Sequence, residues 1–221
     1  LVLFEKESEI FKALYAANPQ SESLKRRLAI SYSKLGDIFQ AQGKMDEALT
    51  FFEKDLKLTE ELYAANLRSE SLKNGLAISY HRLGALYNQQ GKLEEALTFF
   101  KKYNQLQEDL IKANPRSEKW KNDLAISYEE LGSIFQAQGK MEEALAFFEK
   151  AIELFEELYA ANPARAGLWY SLATSYLWTG YTHRKMDHPD LATPYFQKAL
   201  PLLEQLCERT PIPKYLTQLE W

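Results

Sequence analysis

The chain has 221 residues, 46% of them hydrophobic and 26% charged, with a formal net charge of −4. That composition can bury a core, and its mild acidity argues against nucleic acid or an anionic membrane as the main partner. The one cysteine, Cys207, excludes an internal disulfide and a cysteine metal cluster and fits a reducing, cytoplasmic compartment; no apolar run approaches the roughly 20 residues that span a bilayer.

One pattern runs through the sequence. Leu28-Ala29-Ile30 returns as Leu76-Ala77-Ile78, Leu124-Ala125-Ile126 and Leu172-Ala173-Thr174, a period of 48 residues. A fixed period of this size marks one supersecondary unit stacked on copies of itself. Residues 1–18 come first. Phe4-Glu5-Lys6 and the run Leu14 to Asn18 precede their repeats, Phe52-Glu53-Lys54 and Leu62 to Asn66, by one period. They read as the second helix of a truncated repeat, which makes the sequence a fragment of a longer protein. The apolar residues Leu3, Phe4, Ile10, Phe11 and Leu14 are then expected to be partly uncovered, a surface for self-association.

Repeat 1 (21–66) predicts a helix from about Ser21 to Gln42, with Leu24, Leu28, Tyr32, Leu35 and Phe39 on one face. Ser21, Ser69 and Ser117 stand where an N-cap is needed. Gly43, Gly91 and Gly139 stand where a left-handed residue ends the helix. A second helix is predicted from about Met45 to Ala65. It closes at Asn66, as its counterparts close at Asn18, Asn114 and Asn162, which are expected to take the left-handed cap. Two such helices joined by a short loop make an antiparallel hairpin. Repeats 2 (69–114) and 3 (117–162) follow the same plan. Repeat 4 (165–210) differs, with Arg165 at the cap and Asp187 in the loop. Pro189 opens its second helix, and residues 212–221 read as a capping helix.

Tyr32, Leu35, Gly36, Phe39, Ala48 and Phe52, with the same series at Tyr80 to Phe100 and Tyr128 to Phe148, give a pattern that resembles the tetratricopeptide repeat (TPR). The fourth copy keeps Tyr176, Gly180, Ala192, Phe196 and Ala199, but Thr179 and His183 replace a leucine and an aromatic. The usual unit is about 34 residues. The extra residues amount to about two turns per helix, an extended repeat resembling arrays in bacterial multidomain signalling proteins. Glu60, Glu108, Glu156 and Glu204 stand where the family's closing proline falls. The resemblance implies an all-α, right-handed α-solenoid of about four antiparallel hairpins in a single domain, with a leading half-repeat and a C-terminal cap. Gly36 and Ala48 are expected to face each other where the helices cross. Asp55 and Tyr103, in place of Ala151 and Ala199, imply looser packing in the first two repeats.

No catalytic constellation is legible, so the chain reads as a non-enzyme without cofactor or metal. His81 holds an exposed-type position, His183 replaces a core aromatic as a satisfied, semi-buried histidine, and His188 sits in a loop beside Asp187 and Asp190 at no zinc-site spacing. The resemblance places partner binding on the concave face of the first helices. Carried over by motif, the groove holds Ser33, Lys34, Asp37 and Gln40; His81, Arg82, Ala85 and Asn88; Glu129, Glu130, Ser133 and Gln136; and Leu177, Trp178, Tyr181 and Arg184. Asp37 and Glu130 stand where the family's carboxylate clamp needs Asn and Arg, which disfavours a chaperone-tail ligand. The function expected is a protein–protein interaction module, scaffold or sensor arm. The alternative is an intramolecular segment that controls an NTPase or caspase-like protease domain elsewhere in the full-length chain. Base-per-repeat RNA recognition is disfavoured by the acidic charge. An apolar partner side chain is expected on Trp178 and Tyr181 near Arg184; the competing reading packs both rings under the end cap, against Trp221.

Overall fold

A computed structural model describes residues 1–209, and the expected cap at 212–221 and the Trp221 contact lie outside them. The described residues form nine helices. These are α1 (Val2–Ala17), α2 (Glu22–Ala41), α3 (Met45–Ala65), α4 (Glu70–Gln89), α5 (Leu93–Ala113), α6 (Glu118–Ala137), α7 (Met141–Ala161), α8 (Ala166–Lys185) and α9 (Pro189–Arg209). The chain divides into two compact units, Leu1–Leu110 and Ile111–Trp221. The class is all-α, a solenoid-type array of helix hairpins.

Local chemistry sets the helix ends. Ser21, Ser69 and Ser117 accept from the amides of Leu24, Leu72 and Trp120 at 3.3, 3.2 and 3.3 Å, whereas Arg165 offers α8 no side-chain cap. Gly43, Gly91 and Gly139 take φ of 74°, 72° and 78° in the loops within hairpins, and Asp187 holds the same left-handed conformation at 62° without glycine's freedom. The asparagines do not behave as expected. Asn18, Asn66 and Asn162 have φ of −141°, −147° and −138°, on the extended side. Each instead opens a turn, its carbonyl accepting from the amide three residues on, Ser21, Ser69 or Arg165, at 3.1–3.2 Å.

Within the first unit α2 pairs with α3, while α1 packs on α2 and α3 on α4. Leu35, Phe39, Ala48, Phe52, Leu83 and Leu86 form its core. In the second unit α6 pairs with α7 and α8 with α9, with Phe155, Leu168, Trp169, Leu172 and Leu203 at the centre. Burying each such side chain stabilises by about 1.5–3 kcal/mol. The hairpin glycines make room for rings: a Cβ at Gly84, Gly132 or Gly180 would lie 2.8, 2.6 or 2.7 Å from Phe100, Phe148 or Phe196, so it is these aromatics, rather than the expected alanines, that press closest. At Gly36 the same place is filled by Phe52.

Further contacts repeat with the period. Phe39–Phe51, Tyr87–Phe99 and Phe135–Phe147 stack with centroids 5.4, 5.6 and 5.4 Å apart. The fourth hairpin stacks His183 on Tyr195 at 5.6 Å instead. Contrary to expectation, His183 is not satisfied: its buried Nδ1 has no hydrogen-bond partner, and burial lowers its pKa. Glu60 and Glu156, where a proline would close the helix, accept from the hydroxyls of Tyr80 and Tyr176 at 3.0 and 2.5 Å and so tie one hairpin to the next within each unit.

Candidate functional site

The first helices carry the groove positions, and in each unit these interact with one another. In the first unit Arg82 donates Nε and Nη2 to the Asp37 carboxylate at 3.0 and 3.2 Å, and Gln40 donates to Gln89 at 2.9 Å, so α2 and α4 are laced by polar contacts. Lys34 turns to α1, its ammonium 3.6 Å from Glu7 and 5.6 Å from the Phe4 ring centroid. His81 is half-buried rather than exposed, because Phe100 and Tyr103 of α5 flank its ring at 6.0 and 5.1 Å. Tyr103 thus fills the position where a small residue was missed, and packing there is not loose. Asn88 is half-buried at the end of α4, where its carbonyl accepts from Gly91.

Asp55 behaves differently. It is buried, and its Oδ2 accepts from Ser79 at 2.7 Å. Burial raises its pKa to about 6, against the opposing effects of the Ser79 bond and the Arg82 charge. A pocket of about 190 Å³ opens beside it.

In the second unit Glu129 accepts from the Ser175 hydroxyl. Burial raises its pKa to about 7, with the Ser175 bond opposing and the neighbouring Glu130 adding. Its carboxyl is therefore braced between α6 and α8 and is not an open groove carboxylate. Gln136 donates to Thr182 Oγ1 at 2.5 Å. Along α8 the character changes. Trp178 is 42% exposed and meets Tyr181 edge-on at 6.2 Å, with the Arg184 guanidinium 5.8 Å from the Tyr181 centroid. Leu177, Trp178, Tyr181, Arg184 and Phe196 line a pocket of about 410 Å³, with Gln136 at its edge. Tryptophan, tyrosine and arginine around an apolar hollow are the usual composition of a binding hot spot.

Sequence reasoning placed Trp178, Tyr181 and Arg184 together. It missed Phe196, whose signal was its place in the hairpin aromatic series, and Asp55, which it read as a packing defect. Among the described residues no three or more His, Cys, Asp or Glu side chains converge on one point, and no helix is long and apolar enough to cross a membrane.

A family profile described as "Tetratricopeptide repeat" matches residues 27–109 and 123–205. No curated protein matches the chain. Among solved structures, MamA is similar over 93% of this chain and 91% of its own, at 18% identity and a TM-score of 0.55. The apo form of RapI is similar over 93% of this chain and 50% of its own, at 14% identity and a TM-score of 0.66. Aspartyl phosphate phosphatase F from Bacillus subtilis is similar over 98% of this chain and 52% of its own, at 16% identity and a TM-score of 0.67. The chain thus spans about half the length of the latter two, and at these identities the likeness is one of fold.

Proposed function

We infer that this chain, which belongs to the tetratricopeptide repeat family, is a protein–protein interaction module without catalysis of its own, taking a peptide or protein partner on its first helices. The observation that carries this reading is the α8 pocket. Trp178 stays 42% exposed on a helix that buries Trp169 and Tyr176, and it borders an apolar hollow of about 410 Å³, a size in the range of ligand pockets. A partner anchors an aliphatic or aromatic side chain there. Arg184, in the pocket lining, faces a polar or acidic neighbour, and within the same unit Glu130 and Gln136 of α6 set register by charge and shape. The work is that of a scaffold or sensor arm in the cytoplasm.

Peptides selected from a displayed random library on the immobilised chain test this. The expected winners share a large apolar residue and lose about 2 kcal/mol or more, some 30-fold in affinity, against Trp178→Ala. If Trp178→Ala instead lost several kcal/mol of folding stability and bound the selected peptides unchanged, the ring would be packing and the reading would fall.

The face of α1 favours a second reading. Ile10 and Leu14 are 59% and 46% exposed, while their counterparts on α3, Leu58 and Leu62, are buried. That face suits docking, against a second copy or against an enzymatic domain of the same polypeptide that the arm regulates. A monomeric mass at high concentration, unchanged by Ile10→Lys, would remove self-association.

A further inference from the structure

The first unit holds a second pocket, chemically unlike the aromatic one. It lies between α2, α3 and α4, encloses about 190 Å³ and has Asp55 in its lining. Ligand sites for drug-sized molecules run to about 300–1,000 Å³, so this space suits a single side chain. Asp55 is 3% exposed and has the Ser79 hydroxyl as its hydrogen-bond partner, with no ion pair among the described residues. Buried carboxylates are ordinarily matched by a cation or several donors. This one has a single side-chain donor and no direct ion pair, the Arg82 charge acting on it only at longer range, and packing does not demand an acid here, since Ala151 and Ala199 occupy the corresponding places fully buried.

Arg26 and Arg82 also line the pocket, each engaged by a carboxylate that does not. Arg82 is held in a two-point pair by Asp37, and Arg26 Nη2 lies 3.3 Å from Glu22 Oε1. With both arginines so engaged, the carboxylate in the lining that no cation pairs directly is that of Asp55. Ile30 of α2 and Ile78 of α4 also line the pocket, yet they remain 49% and 40% exposed. Aliphatic walls at the mouth and one negative charge in the lining are the complement of an amphipathic cation, whose stem covers apolar surface while its head seeks an anion.

We propose that this pocket binds a lysine side chain of a protein or peptide partner, the stem between Ile30 and Ile78 and the ammonium on Asp55. Lysine fits better than arginine because Ser79 already occupies Oδ2. One carboxylate oxygen then remains, enough for a compact ammonium but not for the paired donors of a guanidinium. The proposal rests on the interaction-module reading for the source of the lysine, and uses none of the α8 pocket.

The test titrates the isotope-labelled chain with the blocked tripeptides acetyl-Ala-Lys-Ala-amide and acetyl-Ala-norleucine-Ala-amide, followed by amide chemical shifts. The lysine peptide is expected to give saturable shifts centred on Ile30, Asp55 and Ser79, with the norleucine peptide about tenfold weaker or more. Asp55→Ala and Asp55→Asn abolish the lysine response, while Trp178→Ala leaves it intact. Equal binding of the two peptides would overturn the proposal, as would lysine shifts that persist in both Asp55 variants or scatter over exposed acids. Should both variants unfold, the comparison of lysine with norleucine on the unaltered chain decides alone. Because selected peptides report on Trp178 and the tripeptides on Asp55, failure at either pocket is read separately from the other.

Discussion

The first helices of the two units use the same positions for opposite ends. In the first unit Asp37 and Arg82 close on each other, and a buried carboxylate, Asp55, shares a pocket lining with Arg82. In the second, the positions of Lys34 and Asp37 become Trp178 and Tyr181, and the surface opens into an apolar hollow. The backbones hardly differ, since helix lengths and loop torsions repeat. A few side chains per hairpin therefore change the chemistry of this face, while glycine, alanine and phenylalanine at the crossing hold the scaffold.

The sharpest way to break this comparison is at the hairpin aromatic. Phe148 is fully buried whereas Phe196 borders the pocket half-covered. Phe148→Ala is expected to cost about 3–5 kcal/mol and Phe196→Ala clearly less, by denaturant unfolding. Equal costs would mean that the α8 pocket is part of the core.

The buried acids give the next effect. Asp55 is held at about 6 against an ordinary 3.8. Between those values the folded state keeps a proton that the unfolded chain has released, so this group's contribution falls as pH rises from about 4 to about 6, by up to about 3 kcal/mol. Asp55→Asn should flatten that slope. Glu129 acts with the same sign between 4.5 and about 7, and Glu129→Gln should flatten the later window. Unfolding curves across this pH range check both, and unchanged slopes would mean the carboxylates are solvated.

Loop torsion comes third. Gly139→Ala should lose about 1–2 kcal/mol at a left-handed site, whereas Asp187→Gly, at φ 62°, should gain a smaller amount in thermal unfolding. The smallest change is at the cap: Arg165→Ser gives α8 the acceptor it lacks and should add about 0.5–1 kcal/mol, the amount Ser117→Ala removes.

Features encoded locally were legible in the sequence. The α3 boundaries at Met45 and Ala65, the serine caps and the glycine loops follow from apolar spacing and backbone chemistry within a few residues. The asparagine turns were misread because a left-handed cap and an extended turn opening use the same residue type, and only the carbonyl's partner three residues on tells them apart. The site was half legible. Trp178 and Tyr181 are one helical turn apart on α8, so their meeting needed no tertiary information. The fate of Asp55 depended on Ser79, and that of Glu129 on Ser175, across helix contacts 24 and 46 residues apart. Such pairs carry no periodic signal, because each occurs once.

Trp169 is buried in the second unit with its indole N–H donating to the Pro163 carbonyl at 2.6 Å. The other tryptophans, Trp120, Trp178 and Trp221, also follow Leu110 in the sequence, and the first unit has none. Intrinsic indole fluorescence is therefore a natural reporter on one half of the molecule, while far-ultraviolet dichroism sums over both. Followed together during unfolding, the two signals separate the melting of the Trp178 half from that of the Asp55 half without any label.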